Sequence, residues 1–450
     1  LRVNIFGENL SNHRDFYYGD SFGVNPTLFY ELGDGSSLNI SYEYLSQERF
    51  IDRGVPTANG KPVEAYKDIV FGDPTENFST HEAHILRAIY EHQLTDSLTG
   101  RFSASYNDHD KLYQNFYVSS YDSANEFATL DGYVDTTNRK TATLSYEVNG
   151  EFETGNIVHN IFAGFEYLDL SNDNNRFNAF WIPDDNGDDD TAVFNIMRPL
   201  NLYGGVGENN ESNTVTNYYS GSNSQMQDST FADVDVLSFY LMDEIELMDQ
   251  LTAVVGVRFD NMDIDVNSLN ETGVNTPSSD SDDTISPRVG LIFDVTNEAS
   301  IYASYSETYA PKGGDQYAKL KSATDDEKLD PDTFENLEFG FKYELPMGIS
   351  LSATYFEVEA NKPSLNGDGT SSMVQSETSG FELQAIGSLT DKWFVSAGYT
   401  SLDASNTDGI RLKESPENAF SIFNNFLVSD RLAVNLGVIY YDMSLVTDGS

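Results

Sequence analysis

The chain has 450 residues, and its 25 Lys and Arg against 73 Asp and Glu give a formal net charge of -48 at pH 7. So acidic a surface repels phosphate and argues against nucleic-acid binding, and the absence of Cys excludes disulfides, zinc–thiolate sites and iron–sulfur clusters. Aromatic residues make up 13% of the chain, too many for a disordered acidic protein. The protein therefore folds, although its apolar content is thinly spread.

Alternation of apolar and polar residues recurs from one end of the chain to the other. Successive strand side chains point to opposite faces, so each such segment has one apolar face and one polar face. About 17 segments, most of about 9–14 residues, predict strands long enough to cross a bilayer at a tilt. The clearest, in chain order, are Leu38–Tyr44, Ile161–Tyr167, Leu251–Asp260, Pro287–Val295, Leu337–Leu345, Phe381–Leu389, Trp393–Tyr399 and Leu432–Tyr440.

Short turns alternate with long polar stretches along the chain. The predicted turns are Gly33–Ser36, Leu94–Ser97, Met248–Gln250, Thr296–Ala299, Leu345–Gly348, Leu389–Lys392 and Val428–Arg431. The predicted long loops lie around residues 51–80, 108–138, 170–230, 265–284, 312–333 and 404–416. Tight turns at one end and long loops at the other indicate an all-β, transmembrane, antiparallel β-barrel. A large soluble all-β protein, such as a propeller or a solenoid, is the alternative, but the propeller repeat of about 40–50 residues is missing from the sequence.

The long loops contain runs rich in Asp, Asn, Gly and Ser at residues 172–175, 184–190 and 278–283, and much of the negative charge collects in such loops. We interpret these runs as solvated surface loops. Asp184, Asn186 and Asp188 begin like a calcium-binding loop, but Asp189 stands where glycine is required and no Glu closes the loop. The pattern is therefore only a weak indication of divalent-cation binding.

The sequence contains no pattern that predicts an enzyme. His81 and His84 stand three apart in a predicted strand, so they point to opposite faces and cannot share a metal ion. The glycines of Gly204–Gly207 lack the strand-then-helix context of a phosphate-binding loop, and no nucleophile elbow is present. We expect no enzymatic activity and no resident metal.

A series of different short motifs occurs in a fixed order along nearly the whole chain. They are Asp52–Pro56 with Gly60–Pro62 and Phe71–Pro74, Phe152–Gly155 with His159 and Ala163–Tyr167, Tyr240–Glu244 with Gly256–Asp260, Leu329–Asp332 with Glu338–Lys342, and Gly380–Leu383 with Ala397–Thr400. In this order they resemble the barrel of TonB-dependent siderophore receptors, in the ferrichrome, ferrioxamine and pyoverdine branch.

The resemblance implies that residues 1–450 are an incomplete barrel domain. Barrels of this family have about 22 strands around a plugged lumen, whereas this chain supplies about 17 strands by the count above. The plug domain and its energy-coupling box are absent from the sequence, and the chain ends at Thr447–Ser450 in what should be a loop.

The resemblance also implies a function. The protein would lie in the outer membrane of a Gram-negative bacterium and take up a ferric siderophore by TonB-dependent active transport. Its partners would be the siderophore, TonB with its inner-membrane complex acting through the plug, and outer-membrane lipid and lipopolysaccharide. The siderophore carries the iron, so no cofactor is expected. The alternative is a passive porin-like barrel or another non-siderophore barrel.

The acidic loops predict a preference for neutral or cationic hydroxamate siderophores over anionic catecholates. A salty habitat, in which charge is screened, is a competing explanation for the acidity.

Aromatic side chains at loop tips and on the upper barrel wall are the candidate ligand contacts, since flat rings add contact area at low entropic cost. For each, a girdle or loop-packing role is the alternative. The candidates are Tyr66, Phe71, Tyr113, Phe116, Tyr117, Phe180, Trp181, Tyr309 and Tyr317.

Overall fold

The computed structural model describes residues 1–14, 16–68, 70–72, 76–178, 180–182, 191–195, 205–206, 212–216, 225–270, 273–311, 329–345, 348–365 and 371–445. Within them the chain is almost wholly β-structure, with one 3₁₀ turn at Glu64–Tyr66. No helix in this part of the chain is both long enough and apolar enough to cross a membrane.

The strands are numbered in chain order. They are β1 (Arg2–Leu10), β2 (Gly19–Gly33), β3 (Ser36–Phe50), β4 (Thr57–Ala58), β5 (Lys61–Pro62), β6 (Phe78–Gln93), β7 (Leu98–Asp122), β8 (Phe127–Thr154), β9 (Ile157–Asn178), β10 (Phe180–Ile182), β11 (Thr191–Asn195), β12 (Gly205–Val206), β13 (Ser212–Thr216), β14 (Gln225–Met248), β15 (Leu251–Asn270), β16 (Asn275–Thr296), β17 (Ala299–Ala310), β18 (Asp332–Leu345), β19 (Ile349–Leu365), β20 (Ser371–Thr390), β21 (Trp393–Asn406), β22 (Asn418–Ser429) and β23 (Leu432–Tyr441).

One antiparallel sheet of 18 strands contains all the long strands of the described ranges. Its 17 members other than β11 pair with their neighbours in simple chain order, and β11 adds to the end of β8. The close connections, such as residues 34–35, 155–156 and 297–298, lie at one end of the sheet, and the longer segments lie at the other. The predicted meander and its strand number are thus confirmed. The sorting of the connections holds only in part, because the four residues 123–126 form a short connection at the second end.

Two stretches expected to be loops, 108–138 and 265–284, are strand for most of their length. The 25 residues of β7 and the 28 of β8 pair as far as Asp122 and Phe127, and β15 and β16 pair as far as Leu269 and Asn275. A bilayer crossing needs about 9–11 residues, so these hairpins project far beyond it. In β15 the alternation continues there with its faces exchanged, because Ile264 and Val266 put apolar side chains on the inner face while Asp263 and Asp265 put polar ones on the outer face. The backbone hydrogen bonds of the strands are still satisfied.

The two faces of the sheet differ in the way a barrel requires. On β14, the side chains of Phe239 and Leu241 are 51% and 50% exposed on the outer face, whereas Ser238 is fully buried on the inner face. On β7 the apolar outer face ends at Tyr106, because Asp108 and Asp110 follow it on the same face. We take this aromatic level as the outer limit of the membrane-crossing part.

The two outermost strands each have one partner within the described residues. β1 pairs with β2, β23 pairs with β22, and β1 and β23 are not paired with each other. Every residue of both strands is exposed. As far as the described residues go, the sheet therefore has two unpaired edges.

Candidate functional site

The segment between β3 and β6 is fastened to the outer end of β7 by one buried side chain. The Asn77 amide nitrogen donates to the carbonyl oxygens of Ile51 (3.0 Å) and Phe116 (2.9 Å), and its oxygen accepts the Phe116 N–H at 3.0 Å. Asn77 is fully buried. Gly72 lies against it at a φ of +155°, and a Cβ there would come within 2.4 Å of the Asn77 amide nitrogen. Ile51, Gly72 and Asn77 are thus held against the outer end of β7.

A second contact fixes the start of the same segment. The Arg14 guanidinium donates to the Asp52 carboxylate at 2.6 Å, and Arg14 also donates to the Lys67 carbonyl. The other Asp52 oxygen accepts the Gly54 N–H at 3.0 Å. Arg53, between these two anchored residues, extends to the inner face of the sheet.

Arg53 lies among tyrosines of β7 and β8. Its guanidinium donates to the Tyr133 hydroxyl (2.8 Å) and the Asn115 side-chain oxygen (3.2 Å). Its carbon Cζ lies 4.8 Å from the ring centre of Tyr117 and 5.9 Å from that of Tyr133, within cation–π range. Tyr113 stacks on Tyr133 with 6.2 Å between ring centres.

Arg176 reaches the same ring from β9. Its guanidinium lies 4.3 Å from the centre of Tyr133 and forms a two-point hydrogen bond with Asp135, at 2.7 and 2.6 Å. The hydrogen bond with Asp135 raises the pKa of Arg176 above its ordinary value, so the guanidinium is charged at every physiological pH. We call Arg53, Tyr113, Tyr117, Tyr133 and Arg176 the arginine–tyrosine wall.

The acidic neighbours of this wall are already engaged. The Tyr117 hydroxyl donates to Asp131 at 2.7 Å, and burial, together with this hydrogen bond, raises the pKa of Tyr117. Asp135 is held by Arg176. The Tyr117 hydroxyl therefore stays protonated at neutral pH, and the two carboxylates are turned toward protein partners.

The wall belongs to a wider basic region of the inner face. Residues paired across neighbouring strands share a face, and the registers place Lys111 opposite His81 and Arg139 opposite His109. Burial raises the pKa of Tyr113, and the nearby charges of Arg53 and, less strongly, Arg49 act in the opposite direction, so Arg49 also lies near this ring. Five of the 25 Lys and Arg of the chain lie here, namely Arg49, Arg53, Lys111, Arg139 and Arg176. This region is basic in a chain whose net charge is -48.

A cavity of about 720 Å³ opens on the inner face of β9, β14 and β15. Its walls include Leu168, Leu170, Val236 and Met262, and Tyr309 lies at its edge. The volume lies within the usual range for small-molecule sites, about 300–1,000 Å³.

The nine candidate aromatics fall into four groups. Tyr113 and Tyr117 belong to the arginine–tyrosine wall, and Tyr309 borders the cavity. Tyr66 and Phe71 pack together with Ala128, and Phe116 is fully buried, positions that favour the loop-packing alternative. The backbone of Phe180 and Trp181 forms β10 and pairs with β13, while their side chains and Tyr317 lie outside the described residues.

Sequence reasoning missed Arg53, Tyr133, Asp135 and Arg176. In an antiparallel pair of strands without a bulge, the residue numbers of any two paired residues add up to the same total. For β8 and β9 this total is 311, both for Thr154 and Ile157 next to the turn and for Asp135 and Arg176. Counting register from the 155–156 turn would therefore have found the pair. Arg53 gives no signal in the net charge of -48, because a net charge does not show where basic residues gather in the fold.

The three Asp- and Asn-rich runs predicted to be surface loops have different outcomes. Residues 172–175 lie in β9 and residues 278–283 in β16, so both are strand rather than loop. Residues 184–190, with the calcium-like pattern, lie outside the described residues.

Comparison with known proteins agrees with this architecture. The family model for the TonB dependent receptor-like β-barrel matches residues 23–450. PiuA of Acinetobacter baumannii, named as a probable TonB-dependent siderophore receptor, is 26% identical over 93% of this chain and 60% of its own length. Fiu of Escherichia coli K12, named as a catecholate siderophore receptor, is 22% identical over 98% of this chain and 62% of its own length.

Solved structures show the same fold. The crystal structure of PiuA superposes with a TM-score of 0.83 at 23% identity, covering 99% of this chain and 68% of that one. The closed form of Fiu superposes with a TM-score of 0.79 at 19% identity, covering 98% and 66%.

The chain spans about 60% of the length of the curated relatives it matches. These relatives are receptors rather than enzymes, which agrees with the expectation, and they do not single out the ferrichrome, ferrioxamine and pyoverdine branch. The chain belongs to the TonB-dependent receptor β-barrel family of the Gram-negative outer membrane.

Proposed function

We propose that the complete protein binds a ferric siderophore of the catecholate class and imports it across the outer membrane with energy supplied through TonB. The arginine–tyrosine wall is the observation that carries this proposal. A ferric tris-catecholate is an anionic complex with flat aromatic rings at its surface. Two guanidiniums supply opposite charge, and tyrosine rings supply stacking surfaces for the catechols.

This proposal of a catecholate ligand replaces the preference for hydroxamates that the total charge predicts. Electrostatic interactions are screened beyond about 8–10 Å at physiological ionic strength. The charge preference of the site is therefore set by residues near the ligand and not by remote acidic loops. Arg49, Arg53, Lys111, Arg139 and Arg176 are the basic residues near the ligand. Of the acidic residues there, Asp131 and Asp135 are engaged by Tyr117 and Arg176, and Asp228 lies opposite Arg176 in the register of β9 and β14. The name of Fiu as a catecholate receptor points the same way.

The free edges of β1 and β23 bear on the domain organisation. An exposed edge of this length offers unpaired backbone groups, and a membrane barrel must close to satisfy them. We propose that about five further strands complete a barrel of about 22 strands. A plug domain would fill its lumen and contact TonB, lipid and lipopolysaccharide would surround it, and no resident cofactor would be needed because iron arrives chelated.

The test is uptake of radioactive iron by a bacterium that lacks its own catecholate receptors and expresses the complete protein. We expect uptake from a ferric tris-catecholate, loss of uptake when TonB is deleted, and at least tenfold weaker uptake from a ferric tris-hydroxamate. Equal uptake from both complexes would overturn the catecholate assignment. Uptake that persists without TonB would overturn active transport.

A further inference from the structure

A second pocket, of about 610 Å³, opens beside the arginine–tyrosine wall at the outer end of β3. The connection between β1 and β2 and the segment between β3 and β6 form its sides, and Tyr113 of the wall is one of its lining residues. Seven of its eleven lining residues carry a polar or charged side chain, namely Asn12, Arg14, Tyr17, Arg49, Asp52, Lys67 and Tyr113. We call it the basic pocket.

The charge of the basic pocket is positive. Three cations line it, Arg14, Arg49 and Lys67, against the single carboxylate of Asp52. That carboxylate is engaged, since it accepts from Arg14 at 2.6 Å and from the Gly54 N–H at 3.0 Å. Within the part of the chain that the structure describes, no carboxylate forms an ion pair with the side chain of Arg49 or Lys67. A cleft lined by one sign of charge concentrates the field of that charge, so the pocket attracts anions.

The strand registers place the pocket and the wall on one row of the inner face. Arg49 of β3 pairs with Ser79 of β6, and Ser79 pairs with Tyr113 of β7. Tyr113 pairs with Asp135 of β8, and Asp135 pairs with Arg176 of β9. Paired residues share a face, and neighbouring strands lie about 4.8 Å apart. Measured along the sheet, Arg49 and Arg176 are therefore about 19 Å apart, with Tyr113 midway.

This row lies beyond the membrane-crossing part of the sheet. The distance along β7 from Tyr106, which we take as the outer limit of that part, to Tyr113 is about 23 Å at about 3.3 Å per residue. Arg49 and Lys67 are both exposed. A ligand that arrives from the external solution can therefore reach the basic pocket and the wall together.

A carboxylate is the anion that suits these groups. A guanidinium presents its N–H donors in a planar fork that matches the two oxygens of a carboxylate, and Arg49 supplies such a fork beside the ammonium group of Lys67. The amide of Asn12 and the hydroxyl of Tyr17 line the same pocket and can donate further hydrogen bonds. Because the chelating head of the ligand rests on the wall, the group that enters the pocket is an arm of the same ligand.

We propose that the basic pocket binds a free carboxylate carried on an arm of the ferric siderophore, so that the receptor prefers catecholate chelates that bear such an arm. The inference rests on the proposed function, because the wall holds the head. From Tyr113 to Arg49 there are two strand spacings, so the arm must reach about 10 Å from the wall.

The experiment compares two synthetic ferric tris-catecholates whose arm ends either in a carboxylate or in the neutral carboxamide of nearly the same shape. Equilibrium binding to the complete receptor gives the ratio of the two dissociation constants, and this ratio is the measure because the charge of Arg49 also attracts the head. The wild type is expected to bind the carboxylate probe at least fivefold more tightly. Arg49→Gln and Lys67→Gln should each lower the ratio, and the double variant should abolish the preference. Lys61→Gln, which removes the same charge from the same segment outside the pocket, should keep it.

Equal affinities of the wild type for the two probes would overturn the inference, as would a preference that survives in the double variant or disappears in Lys61→Gln. Failure of the proposed function has a different signature. In that case the carboxamide probe binds weakly and Arg176→Gln does not change its affinity, whatever the carboxylate does, and the inference falls with the proposed function.

Discussion

Arg176→Gln is the substitution that most directly perturbs the arginine–tyrosine wall. It removes one of the two guanidiniums that contact Tyr133, and it leaves Asp135 without its two-point partner. Both effects act against an anionic ligand, because a positive charge is lost and a carboxylate is released.

The magnitude follows from distance and exposure. A guanidinium and an anionic group about 5 Å apart interact by about 3 kcal/mol at an effective dielectric constant of about 20. The Arg176 side chain is 38% exposed, and solvent screening lowers this energy to about 1.5 kcal/mol. We therefore expect the dissociation constant for a ferric tris-catecholate to rise about tenfold.

The assay is equilibrium binding of a radioactive ferric tris-catecholate to the complete receptor, at low and high salt. Asp135→Asn combined with Arg176→Gln should recover part of the loss, because the freed carboxylate is also removed. Arg101→Gln is the matched control, since Arg101 lies much nearer the short-turn end of β7 and makes only a 3.8 Å pair with Glu91. An unchanged dissociation constant in Arg176→Gln, or an equal loss in Arg101→Gln, would refute the reasoning.

Three further predictions concern the framework. Asn77→Ala removes three hydrogen bonds to buried backbone groups and should destabilise the 51–77 segment by about 2–3 kcal/mol. The measurement is amide hydrogen exchange, which should become faster in this segment. The control Asn425→Ala, on β22, should leave the exchange of the segment unchanged. Gly340→Ala places a Cβ 2.0 Å from the Tyr302 ring and should lower the thermal unfolding temperature. Gly290→Ala places a Cβ 3.6 Å from its nearest neighbour and should leave that temperature unchanged. Equal effects of the two substitutions would contradict the packing argument. Burial and then His109 lower the pKa of His81 below its ordinary 6.5. Below pH 6.5 the unfolded chain thus binds a proton that the folded chain resists, so stability falls on acidification, and His81→Gln should reduce the loss between pH 7 and pH 5 in thermal unfolding scans.

The period-two pattern was sufficient to predict the fold, because a barrel strand must present lipid on one face and water on the other. That constraint operates only inside the bilayer. Beyond Tyr106, the outer face of β7 continues with Asp108 and Asp110, and the pattern that identified the strand is lost. The protruding hairpins were therefore expected to be loops.

The candidate site was predicted in part. Tyr113 and Tyr117 were found because an aromatic residue outside the membrane is conspicuous in a sequence. Arg53 comes from a separate segment, and its position depends on the buried amide of Asn77, a three-dimensional contact without a local pattern. The position of Arg176 depends on strand register, which follows from the turn at residues 155–156 and leaves no local pattern around Arg176 itself.

The central claim is that an anionic, aromatic ferric chelate rests on the basic inner face formed by β7, β8 and β9. Its most direct test is a structure of the complete receptor with a bound ferric tris-catecholate. We predict the iron complex in contact with Arg53, Tyr133 and Arg176, with its catechol rings against tyrosine. A complex bound elsewhere, with these three side chains unchanged and free of ligand, would contradict the account.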